Sequence, residues 1–306
     1  MDLRHLRYFV VLADELHFRR AAERLGITQP PLTQQIKQLE AELGTRLFRR
    51  LKRGVELTEA GAQLLDSARA ILEQVERLKL DVQRRVRGET GRIVVGFAGA
   101  IQCQPLVPRI VQAFRERYPD VAMTPEQSSS PRLLAGLRAG TIDVAFVRPP
   151  LDLGSGLTAE PIIEEPMVIA LPAGHRLAGL GAIALEQLAN ETFVLAPSAT
   201  CPGLHAQLIA SCKRAGFAPR LREDASQLIS IVPMVATGFG VALVPQSLQL
   251  IGGDQICYKP IEGSAPTAVI SLAYRSGESS AAVRNFIGIT REKTGSKPPH
   301  AAPRAA

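Results

Sequence analysis

The chain has 306 residues, 46% hydrophobic, 21% charged and 5% aromatic with no Trp, and a formal net charge of +7. That length suits two or three domains, and that composition a globular protein rather than a mainly disordered one. No run approaches the roughly 18 apolar residues of a membrane helix, and Tyr8 to Ala13 is too short for a signal-peptide core, so a cytoplasmic protein with no membrane partner is expected.

The basic excess is uneven: residues 1 to 92 carry 18 Lys+Arg against 13 Asp+Glu, and the remainder 18 against 16. A basic first third is compatible with nucleic acid but needs a motif to support it. In LRHLRYFVVLADEL, residues Leu3, Leu6, Phe9, Val10, Ala13 and Leu16 fall at helical spacing and predict a first helix with one apolar stripe. FRRAAERLG predicts a second, with Ala21, Ala22 and Leu25 inward and Gly26 as its stop.

ITQPPLTQQIKQLEAELG spaces Leu32, Ile36, Leu39 and Leu43 as the buried stripe of a third helix. Its opposite face carries Pro30, Gln34, Lys37 and Ala41, flanked by Thr33 and Gln38, and is nearly uncharged. Amides and hydroxyls suit base edges in the major groove of double-stranded DNA: glutamine pairs with adenine, threonine touches a thymine methyl, and Lys37 reaches guanine or phosphate. Proline favours the first helical position and pushes the preceding residue out of it. Pro31 is therefore expected to open the helix, with Gln29 and Pro30 extended and the N–H groups of Leu32 and Thr33 free for a phosphate; an ordinary rigid junction is the plainer alternative. TRLFRRLKRGVELT follows, two short β-like runs around a turn bearing Arg46, Arg49, Arg50, Lys52 and Arg53. Helix, helix, turn, helix and basic hairpin make a winged helix-turn-helix whose wing follows the phosphate backbone.

From Thr58 a long helix is expected to about Arg87, with Leu64, Ala68, Ile71, Val75, Leu78 and Val82 in a heptad seam. The seam either packs on its own domain or pairs with a second copy; charge on the other faces favours a homodimer.

Residues 3 to 61, in particular the ordered motifs RAAERL, QPPLTQQI, LEAELGTRLF and LTEAG, resemble the LysR-type transcriptional regulators, and GRIVVGF, LRAGTIDVAFVRPP and VATGFGVALVP extend the likeness to about Lys293. The resemblance implies a transcription regulator that assembles as a homodimer and homotetramer. It places Gln29, Pro30, Thr33 and Gln34 against DNA, with Arg53 in the wing. Gln34 departs from the arginine of many members, which points to adenine rather than guanine there. Arg19 stands where small or hydroxyl residues are common.

Beyond Gly91 strands and helices alternate as in a parallel sheet with helices on its faces: RIVVGFAG, PLVPRIVQAFRERYP, VAMTPEQ, PRLLAGLRAG and DVAFVRP, then PMVIALP, LEQLAN, TFVLAPS, GLHAQLIASCKRAGF, RLRED, LISIVPMVATG and VALVP, and last AVISLAYRS and SAAVRNFIGITREK. The fold class is α/β with an N-terminal helical winged head. The expected domains are 1–58 for DNA binding, 59–90 as the linker helix, and 91–293 as a two-lobed effector domain like the periplasmic solute-binding proteins. Lobe one takes about 91–161 and 267–293, lobe two 162–266, and 294–306 form a disordered tail.

Ligands of such sheets meet the C-terminal strand ends and helix N-termini. Those places hold Ala100, Ile101, Gln102, Ser128, Ser129, Ser130, Arg148, Thr200, Cys201, Pro202 and Gly203, and by resemblance they line the effector cleft. Hydroxyls, N–H groups and an arginine favour a small anion, a carboxylate. The plainer alternatives are a helix cap at Ser128 to Ser130 and pairing of Arg148 with Glu223 or Asp224.

Cys103, Cys201, Cys212 and Cys257 form no CxxC or Cys/His cluster, so reduced thiols, no metal and no cofactor are expected. A Cys201/Cys212 redox sensor is the alternative within the family. Without a GxSxG, metal-ligand histidine spacing or a phosphate loop, an enzyme is disfavoured. A secreted solute-binding protein would not carry the first ninety residues.

Overall fold

The computed structural model describes residues 1–52, 54–225 and 227–295; Arg53 in the expected wing, and all of the expected tail except Thr294 and Gly295, lie outside the described residues. The chain divides into two compact units, one made by Met1–Arg84 and the other beginning at Arg85.

The first unit holds α1 (Leu3–Glu15), α2 (Phe18–Leu25), α3 (Gln29–Leu43), a hairpin of β1 (Phe48–Arg50) and β2 (Val55–Leu57), and the long α4 (Glu59–Val86) as far as Arg84. A reciprocal cap fixes the start of α1: Asp2 accepts the His5 N–H at 3.0 Å, and His5 Nδ1 accepts the Asp2 N–H at 3.2 Å. The buried stripe of α1 is Leu6, Phe9, Leu12 and Ala13. The expected Leu3, Leu16 and Leu43 are instead 46%, 42% and 40% exposed, because each lies at a helix end where the chain turns away from the core. The rings of Phe9 and Phe48 meet at 5.4 Å, joining α1 to the hairpin. Glu40 ties α3 to the same strand by accepting the Leu47 and Phe48 N–H groups at 2.8 and 3.2 Å.

The start of α3 differs from the sequence expectation. Thr28 is the extended N-cap residue, so Gln29, Pro30 and Pro31 are the first three helical residues, and Gln29 and Pro30 are not extended. The restriction on the residue before proline is weakest where no preceding turn has yet formed. The Thr33 N–H consequently points back at the Gln29 carbonyl in the ordinary helical pattern and is not free, nor is that of Leu32. The prolines remove two of the unpaired donors a helix start usually offers.

The Thr58 hydroxyl accepts the Gly61 N–H at 3.0 Å and starts α4. Two faces of α4 then behave differently. Ala68 is fully buried, and Leu64, Leu65 and Leu72 pack on the helical core, while Arg69 reaches Asp14 of α1 at 2.6 Å. Along the expected seam Ile71, Leu78 and Val82 are 38%, 64% and 56% exposed in the single chain.

The second unit contains β3 (Gly91–Ala98), α5 (Leu106–Arg117), β4 (Val121–Ser128), α6 (Ser130–Ala139), β5 (Val144–Val147), β6 (Leu157–Pro172), β7 (Thr192–Val194), α7 (Pro202–Arg214), β8 (Arg220–Arg222), α8 (Ile231–Ala236), β9 (Ala242–Pro245), β10 (Ile256–Pro260), β11 (Thr267–Arg275) and α9 (Ala281–Thr294). LEQLAN forms a short 3-10 turn rather than an α-helix. The first half of β6 and all of β10 escape the sequence reading, since neither is a long uninterrupted apolar run.

In lobe one, β3 runs parallel to β4 and β5, and β11 pairs antiparallel with β5 and with β6. Phe97, Phe114, Phe146 and Phe286 pack through that core at ring distances of 5.2 to 6.0 Å. The β6–β11 pairing continues to Pro166, past the expected break near residue 161; from Met167 the strand joins β9 and β10 of lobe two. The return crossing lies beside it, where the Met167 N–H donates to the Pro266 carbonyl at 2.8 Å. Beyond the crossing, alternate residues of β6 serve two cores: Val168 and Ala170 face one, Met167, Ile169 and Leu171 the other.

Candidate DNA interface and effector cavity

On the first unit, Gln29, Pro30, Thr33, Gln34 and Lys37 line one shallow depression along the outer face of α3. Gln29, Pro30, Gln34 and Lys37 are exposed. The Thr33 hydroxyl donates to the Gln29 carbonyl at 3.1 Å, leaving a methyl and a lone pair for recognition. The register that buries Leu32, Ile36 and Leu39 places this face outward. Arg50 and Lys52 are exposed in the hairpin, whereas Arg49 is paired with Glu56 across the ladder. Arg53 lies outside the described residues.

Between the lobes of the second unit is a cavity of about 400 Å³. Lobe one contributes Ser128, Ser129, Ser130, Arg132 and Arg148; lobe two contributes Thr200, Cys201, Pro202 and Gly203, with Gln227 and Leu228 from a later loop. Of the residues expected here, Ser129, Ser130, Arg148, Cys201, Pro202 and Gly203 are brought together. Ala100 and Ile101 are not: they are 2% and 0% exposed and packed in the lobe cores, because the chain turns inward in a 3-10 turn right after β3. Gln102 is exposed and outside the lining.

Arg148, at the end of β5, dominates the cavity. Its side chain is 10% exposed, and its Nη2 donates to Glu165 at 2.9 Å, not to Glu223 or Asp224, which pair with His205 and Arg222. Nε and Nη1 are buried and have no hydrogen-bond partner among the described residues. A guanidinium with unsatisfied buried donors is matched by a planar anion that accepts from both. The Ser130 hydroxyl accepts the Arg148 backbone N–H at 3.1 Å, so it positions the arginine, and Ser129 is the N-cap residue of α6 without a side-chain capping bond. Glu165 escapes the sequence reading. The signal available was the acidic pair Glu164–Glu165, separated by Pro166 alone from the apolar run MVIAL.

Burial raises the Cys201 thiol above its ordinary value, with the Arg148 charge pulling it down, and burial pushes Cys212 up to about 11. Cys212 is buried with Leu208, while Ile209 is 37% exposed. Protonated thiols react slowly with peroxide, so peptide mass mapping after peroxide treatment of the folded protein is expected to find no Cys201–Cys212 bridge. Such a bridge would restore the redox reading.

An exposed amide-and-hydroxyl helix face on one unit, and a polar cavity between two lobes of the other, together define a ligand-responsive DNA-binding regulator. Residues 3–62 match the family model described as bacterial regulatory helix-turn-helix protein, lysR family, and residues 87–295 match the LysR substrate binding domain. The chain belongs to the LysR family of transcriptional regulators. It is 39% identical over 287 residues to the HTH-type transcriptional regulator BudR of Raoultella terrigena, covering 94% of this chain and 99% of that one. It is 37% identical over 290 residues to AlsR of Bacillus subtilis, covering 95% of each. Among solved structures, the LysR family regulator CbnR superposes with a TM-score of 0.83 at 29% identity, covering 95% of this chain and 100% of that one. Among the described residues no helix is long and apolar enough to cross a membrane.

Proposed function

We propose that this regulator is a cytoplasmic, non-enzymatic sensor of a small carboxylate. Residues 1–58 act as its DNA-binding domain, 59–90 as the dimerisation helix and 91–293 as the effector domain. The unpartnered Nε and Nη1 of Arg148, buried in the cavity between the lobes, carry the effector assignment. Cys201, Pro202 and Gly203 at the start of α7 and Ser129 at the start of α6 supply the remaining walls. An effector drawing the lobes together would favour one of two arrangements and shift the spacing of paired reading heads. Pairing is supported by the exposed Leu78, Val82 and Val86 at four-residue intervals on α4, a row that a second copy would cover. Assembly to a homotetramer follows the family pattern.

For DNA, Gln29, Pro30, Thr33, Gln34 and Lys37 read the groove, and Arg50, Lys52 and Arg53 hold the backbone. The solved complex of full-length CbnR with its target DNA, at a TM-score of 0.79 and 29% identity to this chain, is consistent with that use of the head. Gln34→Ala is expected to cost about 1–3 kcal/mol, roughly ten- to hundredfold, at operator sites and almost nothing on random duplex. An equal loss on both would remove Gln34 from base reading. Lys52→Ala should weaken all sequences alike and lower the slope of log affinity against log salt by about 1; an unchanged slope would take the wing off the phosphates. Genome-wide mapping of bound DNA with and without candidate acids tests the whole reading, since sites insensitive to every acid would contradict it.

A further inference from the structure

Glu165 lies on β6 immediately before the strand enters lobe two and is 5% exposed. Its two oxygens face different lobes. Oε1 accepts from Arg148 Nη2 at 2.9 Å, and Oε2 accepts the backbone N–H of Ser247, just after β9 in lobe two, at 3.0 Å. The adjacent Glu164 accepts the Thr267 hydroxyl at 2.7 Å on the return crossing. The acidic pair thus occupies the place where the lobes are joined, and one member holds the cavity's arginine.

We propose that Glu165 is the positioning residue of the effector cavity, holding Arg148 so that Nε and Nη1 are left for the ligand and setting the cavity to accept singly charged rather than doubly charged carboxylates. This rests on the reading that Arg148 receives a carboxylate.

Two observations carry it. Among the described residues Arg148 satisfies one of its terminal nitrogens on Glu165 and neither of its other side-chain nitrogens, so the carboxylate selects which donors stay open. The ion pair is also enclosed, at 10% and 6% side-chain exposure, so the Glu165 charge acts on a neighbouring anion with little screening by water. A single ligand carboxylate is drawn in by donors aimed at it. A second would gain little from a guanidinium whose charge is already offset. Arg132, the other cavity arginine, is exposed and more strongly screened.

Matched acids, acetate against malonate and benzoate against phthalate, titrated into the full chain by calorimetry and thermal shift, provide the test. Wild type is expected to bind the monocarboxylate of a pair more tightly. Glu165→Gln should move the mono-to-dicarboxylate ratio about tenfold toward the dicarboxylate, while Glu165→Asp, which keeps the charge but loses reach, should weaken all acids and hold the wild-type ratio. A purely structural Glu165 would lower the melting temperature of both variants and leave the ratio unmoved, and that result overturns the proposal. A crystal structure of the wild-type protein with the tighter acid gives an independent check that needs no variant. The acid should sit on Nε and Nη1 with the Arg148–Glu165 bond intact, and an acid that displaces Glu165 refutes the assignment. Loss of binding in Arg148→Met with an unmoved ratio in Glu165→Gln would defeat this inference alone. Wild-type binding to none of the acids, or undiminished binding in Arg148→Met, would defeat the carboxylate reading together with it.

Discussion

Gly61→Ala is expected to destroy the DNA-binding head although it places a better helix former inside a helix. Alanine is ordinarily about 1 kcal/mol more favourable than glycine at such a position. Here the added Cβ would lie 2.2 Å from the Leu47 carbonyl oxygen and 2.9 Å from Leu57 Cδ2. That carbonyl accepts the Thr58 N–H at 3.0 Å, the bond that seats the first turn of α4 on the hairpin. The backbone cannot yield by an ångström without breaking the bond and lifting α4 from a core that includes the fully buried Phe9, Leu32 and Leu39. The overlap outweighs the propensity gain, and a net loss of about 3 kcal/mol is expected. Urea unfolding should show it as an early transition, and gel-shift titration as loss of binding to operator and random duplex alike. A variant as stable as wild type would show that α4 is not pressed against the Leu47 carbonyl.

Arg148→Met is expected to abolish the response to carboxylates and to destabilise the second unit. Two charge-assisted hydrogen bonds to the ligand disappear, each contributing about 1.5–3 kcal/mol, so affinity should fall at least about a hundredfold. The stability loss has a separate origin: the Glu165 carboxylate remains 5% exposed with its cationic partner gone. Removing one member of such a pair costs about 3–5 kcal/mol, whereas replacing both by apolar groups is often near neutral. The double variant Arg148→Met with Glu165→Met should therefore recover most of the melting temperature and none of the response. Recovery of both would move ligand binding elsewhere in the cavity, and recovery of neither would show that the stranded Glu165 charge is not what destabilises the single variant. DNA binding without effector should survive in either variant, because the helix-turn-helix lies in the first unit.

The outer face of α3 was legible because it depends on local periodicity. Once Leu32, Ile36 and Leu39 are assigned inward, the 3.6-residue repeat sends Gln34 and Lys37 outward. The helix start was misjudged by two residues because the conformational preferences of proline are statistical, and the extended N-cap fell on Thr28. The seam of α4 was legible as a pattern, but its division was not. Leu64 and Ala68 of the seam pack on the head while Leu78 and Val82 are exposed in the single chain, and that depends on where the head's other helices end.

In the cavity the balance reverses. Sequence pattern located the strand and helix ends that approach it, and with them Ser129, Ser130, Arg148 and Cys201 to Gly203. It misplaced Ala100 and Ile101, since a one-residue difference in where a strand turns decides whether a side chain enters the core or the cleft. It could not supply the partner of Arg148, because Glu165 is 17 residues away on β6, which β11 separates from β5 in the sheet, and reaches it only where β6 crosses the lobe boundary. Short-range periodicity and motif spacing set the family, most of the element order and the composition of the outer face of α3. Only the tertiary structure decided which donors of Arg148 stay open and what joins them to lobe two. Those are properties of side chains distant along the chain, brought within 3 Å by the pairing of strands.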